Sequence, residues 1–426
     1  MKSEQIIRAP DALPPDAVSL TEQFVVPTYG RFPLTFTRGE GIRLFDNQER
    51  SFLDFGGGIA VSCLGHAHPE LTETIHRQAG LLTHVSNLYY TEPQALLAQN
   101  IVTRIGPGKC FFSNSGAEAN EALFKLARKF GNADGRFEIL TTVNSFHGRT
   151  LAGISATGQD KVKLGFGPLL DGFRHVEYND LEAMREALSP TTIAVLVEGI
   201  QGESGIHCAT VDYLIGLRKL CDENNLLMLI DGVQCGHFRT GCFQSFQRIL
   251  ENSKQGGSFL PDGISMAKSL GGGFPIGGVW IREPYADILG PGSHGTTFGG
   301  TPLACSVALK IMEIIERDQL ADHARSLGIW LCEQFQKRVD QFPGFLTEVR
   351  GLGLMLGLVL NDSLETHSNS GTTPALMVVQ KLHEEGVLTI PAGRNVVRFL
   401  PALNVSKEEC QDMLNKLDKV IKGFKP

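Results

Sequence analysis

The chain has 426 residues, of which 42% are hydrophobic and 20% charged, and its formal charge is −7 at pH 7. This length is sufficient for a large core and more than one domain. The negative charge disfavours nucleic acid as a main partner. No apolar run approaches the ~18 residues of a membrane span, so we expect no membrane partner either.

Residues 1–20 contain no apolar secretion segment, and the nine cysteines form no C-x-x-C pair. We therefore expect a cytoplasmic protein with reduced thiols and no metal centre. The same residues have the weak patterning of an N-terminal arm. Alternating apolar and polar residues from 35 to 55 then predict a β-meander.

From residue 69 to about 283, short apolar runs alternate with helical patterns, which is typical of an α/β domain with a mostly parallel sheet. The predicted strands are 110–113, 138–143, 193–197 and 226–230, and the predicted helices are 117–130, 180–188 and 211–224. A helical segment (302–342), two strand-rich segments (346–360 and 386–405) and a loop (361–373) follow. This order predicts a large domain over residues 69–305 and a small α+β domain built from residues 1–68 and 306–426.

Two motifs in the N-terminal part carry little weight. Asp54-Phe55-Gly56 looks like the metal motif of protein kinases, but the other kinase motifs are missing. His66 and His68 have no acidic or cysteine partner at a metal-ligand spacing. We expect these histidines in a loop or beside a cofactor.

The turn between strand 110–113 and the following helix has two interpretations. Ser115 and Glu118 form an S-x-x-E capping box, which by itself indicates only a well-capped helix. Alternatively, the N–H groups at this helix start could bind a phosphate that Gly116 allows to approach.

Side chains at the ends of the next two strands are further candidates, because open α/β sheets bind ligands there. Phe146 could stack on a flat ring and Arg149 could bind a carboxylate, although core packing and surface exposure are commoner roles. The loop 198–205 holds Glu198 and Glu203 among three glycines. It is either part of a site or an ordinary turn.

Asp231 ends strand 226–230, and Lys268 lies just before three glycines in an otherwise uncharged run from 263 to 281. A helix cap and a surface lysine are the simplest interpretations. The chemical alternative is a carboxylate that keeps a pyridine nitrogen protonated, together with a desolvated amine of lowered pKa that acts as a nucleophile. Arg398, alone in an apolar strand pattern, either extends to solvent or binds an anion.

Taken in order, these segments resemble the class III pyridoxal-phosphate (PLP) aminotransferases, most closely the acetylornithine aminotransferase group. The resemblance extends from about Tyr29 to Val405 and includes GGIAVSCLGHAHPE, NSGAEANEALFKLARKF, FHGRTLAGISATGQ, AKSLGGGFPIGG, HGTTFGG and NVVRFLPALNV. It implies the type I fold of PLP-dependent transferases and a homodimer with shared active sites.

The resemblance also implies a role for each cofactor-binding residue. Lys268 would form the Schiff base with PLP and, with Asp231 at the pyridinium nitrogen, carry the catalysis. The remaining contacts would be to the phosphate (Ser115, Gly116, Ala117 and, from the neighbouring subunit, Thr297), to the ring faces (Phe146 and Val233) and to the ring hydroxyl (Gln234).

The implied substrates are an ω-amino donor, N-acetylornithine or a close relative, and 2-oxoglutarate as acceptor, in arginine biosynthesis. Arg398 would bind the α-carboxylate of the acceptor, Arg149 a second carboxylate, and Glu203 would pair with Arg398 while an ω-amine is bound. Ornithine, succinylornithine or 4-aminobutyrate are alternative donors. A PLP racemase or epimerase, or a non-catalytic family member, are alternatives of another class.

The chain departs from the family pattern at several positions. Gly232 stands where glutamate is usual, Gly199 replaces proline, and Thr301 replaces asparagine. His237-Phe238 replaces a smaller residue and a glycine, and residues 248–259 look like an insert. We expect these changes to affect rate and substrate preference more than the type of reaction.

Overall fold

The computed structural model describes residues 17–367 and 372–424. Its strands are β1 (Phe36–Glu40), β2 (Arg43–Asp46), β3 (Ser51–Asp54), β4 (Gly108–Ser113), β5 (Glu138–Thr142), β6 (Phe173–Val176), β7 (Thr192–Glu198), β8 (Ile200–Gln201), β9 (His207–Cys208), β10 (Leu227–Asp231), β11 (Gly263–Met266), β12 (Gly277–Arg282), β13 (Leu346–Leu352), β14 (Met355–Leu360), β15 (Val387–Leu388), β16 (Ile390–Ala392) and β17 (Val396–Phe399).

The helices are α1 (Ala17–Phe24), the short turn α2 (Gly57–Ala60), α3 (Pro69–Ala79), α4 (Glu92–Ile105), α5 (Gly116–Gly131), α6 (Leu151–Ala156), α7 (Leu181–Glu186), α8 (Val211–Glu223), α9 (Ser245–Leu250), α10 (Pro302–Arg317), α11 (Leu320–Gln341), α12 (Pro374–Glu384) and α13 (Lys407–Gly423). Short 3-10 helices include Lys268–Leu270 and Asp362–His367. Among the described residues, no helix is both long and apolar enough to cross a membrane.

A seven-stranded sheet with the order β4-β12-β11-β10-β7-β5-β6 forms the centre of the fold. Only β12 runs antiparallel to its neighbours, so the predicted mostly parallel sheet is confirmed. Every residue of β7 and β10 is buried, as expected for strands covered by helices on both faces. The register pairs Asp231 with Glu198 on one side and with Ser265 on the other.

Helix α5 illustrates how the sequence covers this sheet. Ser115 caps its first turn, Arg128 and Lys129 lie in its last turn, and a stripe of alanines and leucines is buried. The stripe packs in one cluster with sheet residues such as Ile139, Leu196 and Leu229. This packing fixes the start of α5 beside the carboxyl ends of the strands.

The two ends of the chain share a single core. Leu53 and Phe55 from the N-terminal part cluster with Phe335, Leu358 and Phe399 from the C-terminal part. The predicted meander is present as β1-β2-β3, to which β15 adds a parallel strand, and β13-β14-β17-β16 forms a separate sheet. Part of the predicted arm (1–16) and of the predicted loop (368–371) lies outside the described residues.

The segment 248–259, predicted as an insert, contains the end of α9 and a 3-10 helix (Gly256–Ser258). Glu251, just after α9, pairs with Arg248 and with Arg325 of α11. The segment therefore ties the large sheet region to a helix of the C-terminal part.

Candidate active site

A cavity of ≈ 390 Å³ opens at the carboxyl ends of β5, β7 and β10. Most of the residues singled out in the sequence line it: Ser115, Gly116, Ala117, Phe146, Arg149, Asp231, Val233, Gln234 and Lys268. Their convergence follows from the parallel strands, whose carboxyl ends meet at one edge of the sheet.

Asp231, at the end of β10, is held by four hydrogen bonds. Its Oδ2 accepts from Asn120 Nδ2 at 2.7 Å and lies 2.8 Å from His147 Nδ1, while its Oδ1 accepts from the Val233 N–H at 3.0 Å and from Ser265 Oγ at 3.3 Å. Burial alone would raise the pKa of Asp231, but the bond and charge of His147 and the other donors hold it below the usual value. The result is a buried, ionised carboxylate in the cavity wall.

The sequence analysis missed Asn120 and His147 as partners of Asp231. The sequence positions of both residues could have indicated this role. Asn120 lies four residues after Gly116, on the same face of α5, and His147 directly follows Phe146.

Glu198 lines the same cavity but was given no role from the sequence. Its Oε2 accepts from the Phe146 N–H at 3.2 Å. Burial and the nearby charge of Asp231 raise the pKa of Glu198 well above its usual value. The pKa values of these two neighbouring carboxyl groups are therefore shifted in opposite directions, which favours the ionised form of Asp231 and the neutral form of Glu198.

Lys268 is enclosed in the cavity wall at the start of its 3-10 helix, with a φ of 51°. Burial lowers its pKa to about 8, while the charges of Glu203 and Arg398 act in opposite directions. An amine with this pKa has a substantial neutral fraction near pH 8, and the neutral form is the nucleophile. The loss of hydration that the uncharged sequence around Lys268 predicts is thus the main cause of its lowered pKa.

The start of α5 forms one wall of the cavity. Ser115 Oγ accepts from the Glu118 N–H at 3.2 Å, as predicted. The reciprocal half of the capping box was wrong, because Glu118 Oε2 accepts from the N–H of Asn114 at 2.7 Å rather than from Ser115. A Cβ added at Gly116 would lie 2.7 Å from Val233 Cγ1, so glycine allows the start of α5 to pack closely against Val233.

Glu203 and Arg398 form an ion pair beside the cavity, with Glu203 Oε1 2.7 Å from Arg398 Nη1. Arg398 Nη1 also donates to Gln234 Oε1 at 2.7 Å and to the Gly202 carbonyl at 3.0 Å. Gln234 Nε2 in turn donates to Glu203 Oε1 at 3.0 Å. The pKa of Glu203 is about 2, because the charge and hydrogen bond of Arg398 outweigh burial, which raises it.

Gln234 therefore connects this pair to the cavity that it lines. Its carbonyl oxygen and one amide hydrogen are engaged by Arg398 and Glu203. The second amide hydrogen remains for a ligand.

Arg149 and Thr297 occupy different positions relative to the cavity. Arg149 is exposed at its mouth, with its guanidinium carbon 5.5 Å from the centre of the Phe146 ring. Thr297 lines a separate surface depression together with His84 and Asn87. Within a single chain, Thr297 is therefore not part of the cavity.

Two of the unusual glycines face polar side chains that leave no space for a larger residue. A Cβ at Gly232 would lie 2.4 Å from Gln244 Oε1, and one at Gly199 would lie 2.2 Å from Ser245 Oγ. Gln244 and Ser245 stand at the start of α9, a few residues before the segment 248–259. The departures at Gly232 and Gly199 are thus complementary to α9.

The local structure favours the change at Thr301 but not the change at His237-Phe238. His237 and Phe238 have positive φ angles of 54° and 66°, a conformation that glycine adopts at lower cost. Thr301 caps α10 by accepting the Ala304 N–H at 3.4 Å. None of these three residues is among those that line the cavity.

The sequence profile of the aminotransferase class-III family matches residues 24–421. The chain belongs to this family. It is 41% identical over 413 residues to an acetylornithine aminotransferase of Methanocaldococcus jannaschii, covering 96% of this chain and 98% of the relative. It is 43% identical over 402 residues to one from Gloeobacter violaceus, covering 94% and 96%.

Solved structures agree with this class-III assignment. Ornithine aminotransferase from Toxoplasma gondii superposes with a TM-score of 0.87 at 30% identity, covering 95% of this chain and 94% of that one. N-acetylornithine aminotransferase from Stenotrophomonas maltophilia gives 0.79 at 32% identity, covering 96% and 99%. The predictions of the family, of the type I fold and of a PLP-dependent transaminase are confirmed.

The cavity fits the cofactor that the class-III family uses. It combines a helix start at residues 115–117, an ionised carboxylate on Asp231 and a half-buried amine of lowered pKa on Lys268. These groups match a phosphate, a protonated pyridine nitrogen and an aldehyde, respectively.

Proposed function

We propose that this enzyme transfers the ω-amino group of N-acetylornithine, or of a close ω-amino donor, to 2-oxoglutarate, giving a semialdehyde and glutamate in arginine biosynthesis. The observation that carries the proposal is the closed Glu203–Arg398 pair joined to the cavity by Gln234. The names of the relatives that are 41–43% identical support N-acetylornithine as the donor.

Each cavity residue has a definite task in this proposal. PLP, when bound, supplies an electron sink for the substrate carbon. Lys268 would hold the cofactor covalently and, as a free amine, would remove a proton from the substrate carbon and return one as general base and acid. Asp231, kept anionic by His147 and Asn120, maintains the positive charge on the ring nitrogen.

The remaining contacts orient the cofactor. Phe146 and Val233 enclose the ring faces, and the second amide hydrogen of Gln234 is available for the ring hydroxyl. Ser115, Gly116 and Ala117 bind the phosphate at the start of α5, where the first N–H groups of a helix lack partners within it.

The Glu203–Arg398 pair lets one site accept two different substrates. While the pair is closed, Glu203 neutralises the cation of Arg398. Arg398 then does not attract the carboxylate of an ω-amino donor. When 2-oxoglutarate enters, its α-carboxylate replaces Glu203 in a bidentate contact, and the exposed Arg149 binds the second carboxylate. A racemase or epimerase acts on one substrate and has no use for such a switch.

A panel of amines tests the proposal. Purified enzyme is incubated with PLP, 2-oxoglutarate and each candidate donor, and the glutamate formed is measured. We expect the highest kcat/KM with N-acetylornithine. Higher values with ornithine or 4-aminobutyrate would change the assigned donor, and glutamate from no amine would refute the transaminase.

The role of Lys268 has a separate test. Borohydride reduction of the loaded enzyme, followed by peptide mapping, should place the cofactor on the peptide that contains Lys268. Lys268→Ala should abolish the labelling. Labelling that persists in this variant would refute the assignment.

We also propose a homodimer in which Thr297 contributes to the phosphate site of the partner subunit. Thr297 lies outside the cavity of its own chain, and large apolar side chains near it are exposed, including Leu88, Tyr90 and Phe298. Asn87 Nδ2 donates to the Gly299 carbonyl at 2.9 Å, which joins the segment of Leu88 and Tyr90 to the segment of Thr297. An exposed apolar surface of this kind is typical of an interface.

Mixing two inactive variants tests the shared site. In hybrids of Lys268→Ala with Thr297→Asp, a shared arrangement leaves one site intact, so refolded mixtures should recover about a quarter of the wild-type activity. If Thr297 served its own subunit, no site would be intact and no activity would return.

We propose further that the two domains divide near residues 68 and 305. The core shared by both chain ends supports this division.

Nine free cysteines support a reducing, cytoplasmic location.

A further inference from the structure

The turn α2 has an unusual backbone. Gly57, Gly58, Ile59 and Ala60 all have positive φ angles, of 53°, 62°, 65° and 60°. Glycine adopts this conformation readily, but a β-branched residue such as Ile59 does so at a cost. A run of four such residues persists only where surrounding contacts impose it.

Asp54 supplies those contacts at the start of the turn. This nearly buried carboxylate accepts the N–H groups of Gly56 and Gly57 through Oδ1, at 3.0 and 2.8 Å. Its Oδ2 lies 2.8 Å from His66 Nε2, which fixes the orientation of the carboxylate. Asp54 and His66 therefore form one backbone anchor.

The other end of the turn holds the segment that carries Lys268. Ser269, directly after the lysine, donates from Oγ to the Ala60 carbonyl at 2.7 Å. The Ser269 carbonyl in turn accepts from Cys63 Sγ at 3.3 Å. Lys268 itself has a positive φ of 51°, so its backbone also depends on outside support.

The turn also touches the strand of Arg398. The Leu400 N–H donates to the Phe55 carbonyl at 2.6 Å, and a Cβ at Gly57 would lie 2.4 Å from the Leu400 carbonyl. Val61, the next residue after the turn, lines the cavity. One turn thus lies between the elements that carry the lysine and the arginine.

We propose that Asp54 is a positioning residue: by holding α2 in its left-handed form, it fixes Ser269 and hence the backbone of Lys268 in the cavity. This inference rests on the proposed role of Lys268. Asp54 is not among the residues that line the cavity, and it acts through the backbone of residues 56–60 and the Ser269 hydroxyl.

Two substitutions of Asp54 separate positioning from simple packing. Asp54→Leu fills the site but accepts no hydrogen bond, so kcat should fall on the order of 10- to 100-fold because the lysine is misplaced. Asp54→Asn keeps the Oδ1 acceptor, and its amide can donate to His66 Nε2 in the tautomer that accepts there, so it should retain most of the activity. KM should change much less than kcat in both variants.

Hydrogen exchange provides a readout that does not depend on activity. In Asp54→Leu, amides of residues 268–272 should exchange faster than in the wild type, with and without cofactor, while those of the central strand β7 stay protected. Unchanged exchange at 268–272 would overturn the proposal.

A double-mutant cycle tests the connection itself. Ser269→Ala removes the bond to Ala60 at the far end of the turn, so its effect and that of Asp54→Leu on kcat should be clearly non-additive. Additive effects, or equal losses in Asp54→Leu and Asp54→Asn, would overturn the proposal. Failure of the lysine assignment would instead appear as labelling that persists in Lys268→Ala, which distinguishes the two outcomes.

Discussion

Removal of the Glu203 carboxylate should shift the enzyme towards dicarboxylate substrates. In the described part of the chain, Glu203 is the only carboxylate paired with Arg398, which is 1% exposed. Removing one partner of a buried ion pair costs about 3–5 kcal/mol. Because Gln234 and the Gly202 carbonyl still accept from Arg398 in Glu203→Ala, we expect about 3 kcal/mol, the lower end of that range.

This free energy becomes available to a substrate carboxylate that takes the place of Glu203. In the wild type, 2-oxoglutarate or glutamate must first displace Glu203. In Glu203→Ala no displacement is needed, so binding of glutamate should tighten by up to about 100-fold, because 1.4 kcal/mol corresponds to a factor of ten. The ω-amine donor makes no use of Arg398 and gains nothing.

Stopped-flow measurement of each half-reaction provides the assay. The ratio of kcat/KM for glutamate to that for N-acetylornithine should rise strongly in Glu203→Ala and less in Glu203→Gln, which keeps the shape and an acceptor oxygen. A ratio that is unchanged in both variants, at unchanged thermal stability, would refute the proposal that the Glu203–Arg398 pair switches between the two substrates.

Three further predictions concern the surroundings of Asp231 and Lys268. Gly232→Ala should destabilise the fold by about 1–3 kcal/mol through overpacking against Gln244, and adding Gln244→Ala should restore most of the loss in a urea titration. A loss that the second substitution does not relieve would contradict this account. His147→Ala should weaken cofactor binding at least about tenfold in a fluorescence titration, since a hydrogen bond to a charged group contributes about 1.5–3 kcal/mol. An unchanged affinity would show that His147 does not support the charge of Asp231. Because the pKa of Lys268 is lowered to about 8, the rate of covalent reconstitution with PLP should rise about tenfold per pH unit below 8 and level off above it. The same shift makes the folded state bind fewer protons than the unfolded chain between pH 8 and the ordinary lysine pKa of 10.5, so this group adds stability as pH rises through that window. A reconstitution rate that keeps rising to pH 10 would refute the lowered value.

The sequence by itself determined the kind of fold and the edge of the sheet at which the site lies. Apolar runs of strand length, alternating with helical periodicity, specify parallel strands covered by helices. The residues that follow those runs, among them Phe146, Glu198 and Asp231, then share one edge because parallel strands end on the same side. The strands β11 and β12 escaped prediction because glycine and serine interrupt their apolar patterns.

Only the tertiary structure decided which side chains meet. The family resemblance implied that Glu203 pairs with Arg398, 195 residues away, but only the structure shows that Gln234 is a partner of both. Likewise, the sequence did not predict a role for Asp54 or His66. Their role depends on the left-handed turn between them, which accepts a hydrogen bond from Ser269. Local periodicity encodes the face of an element on which a residue lies. Ion pairs and backbone anchors depend instead on how distant elements pack, because packing fixes the positions of the charges.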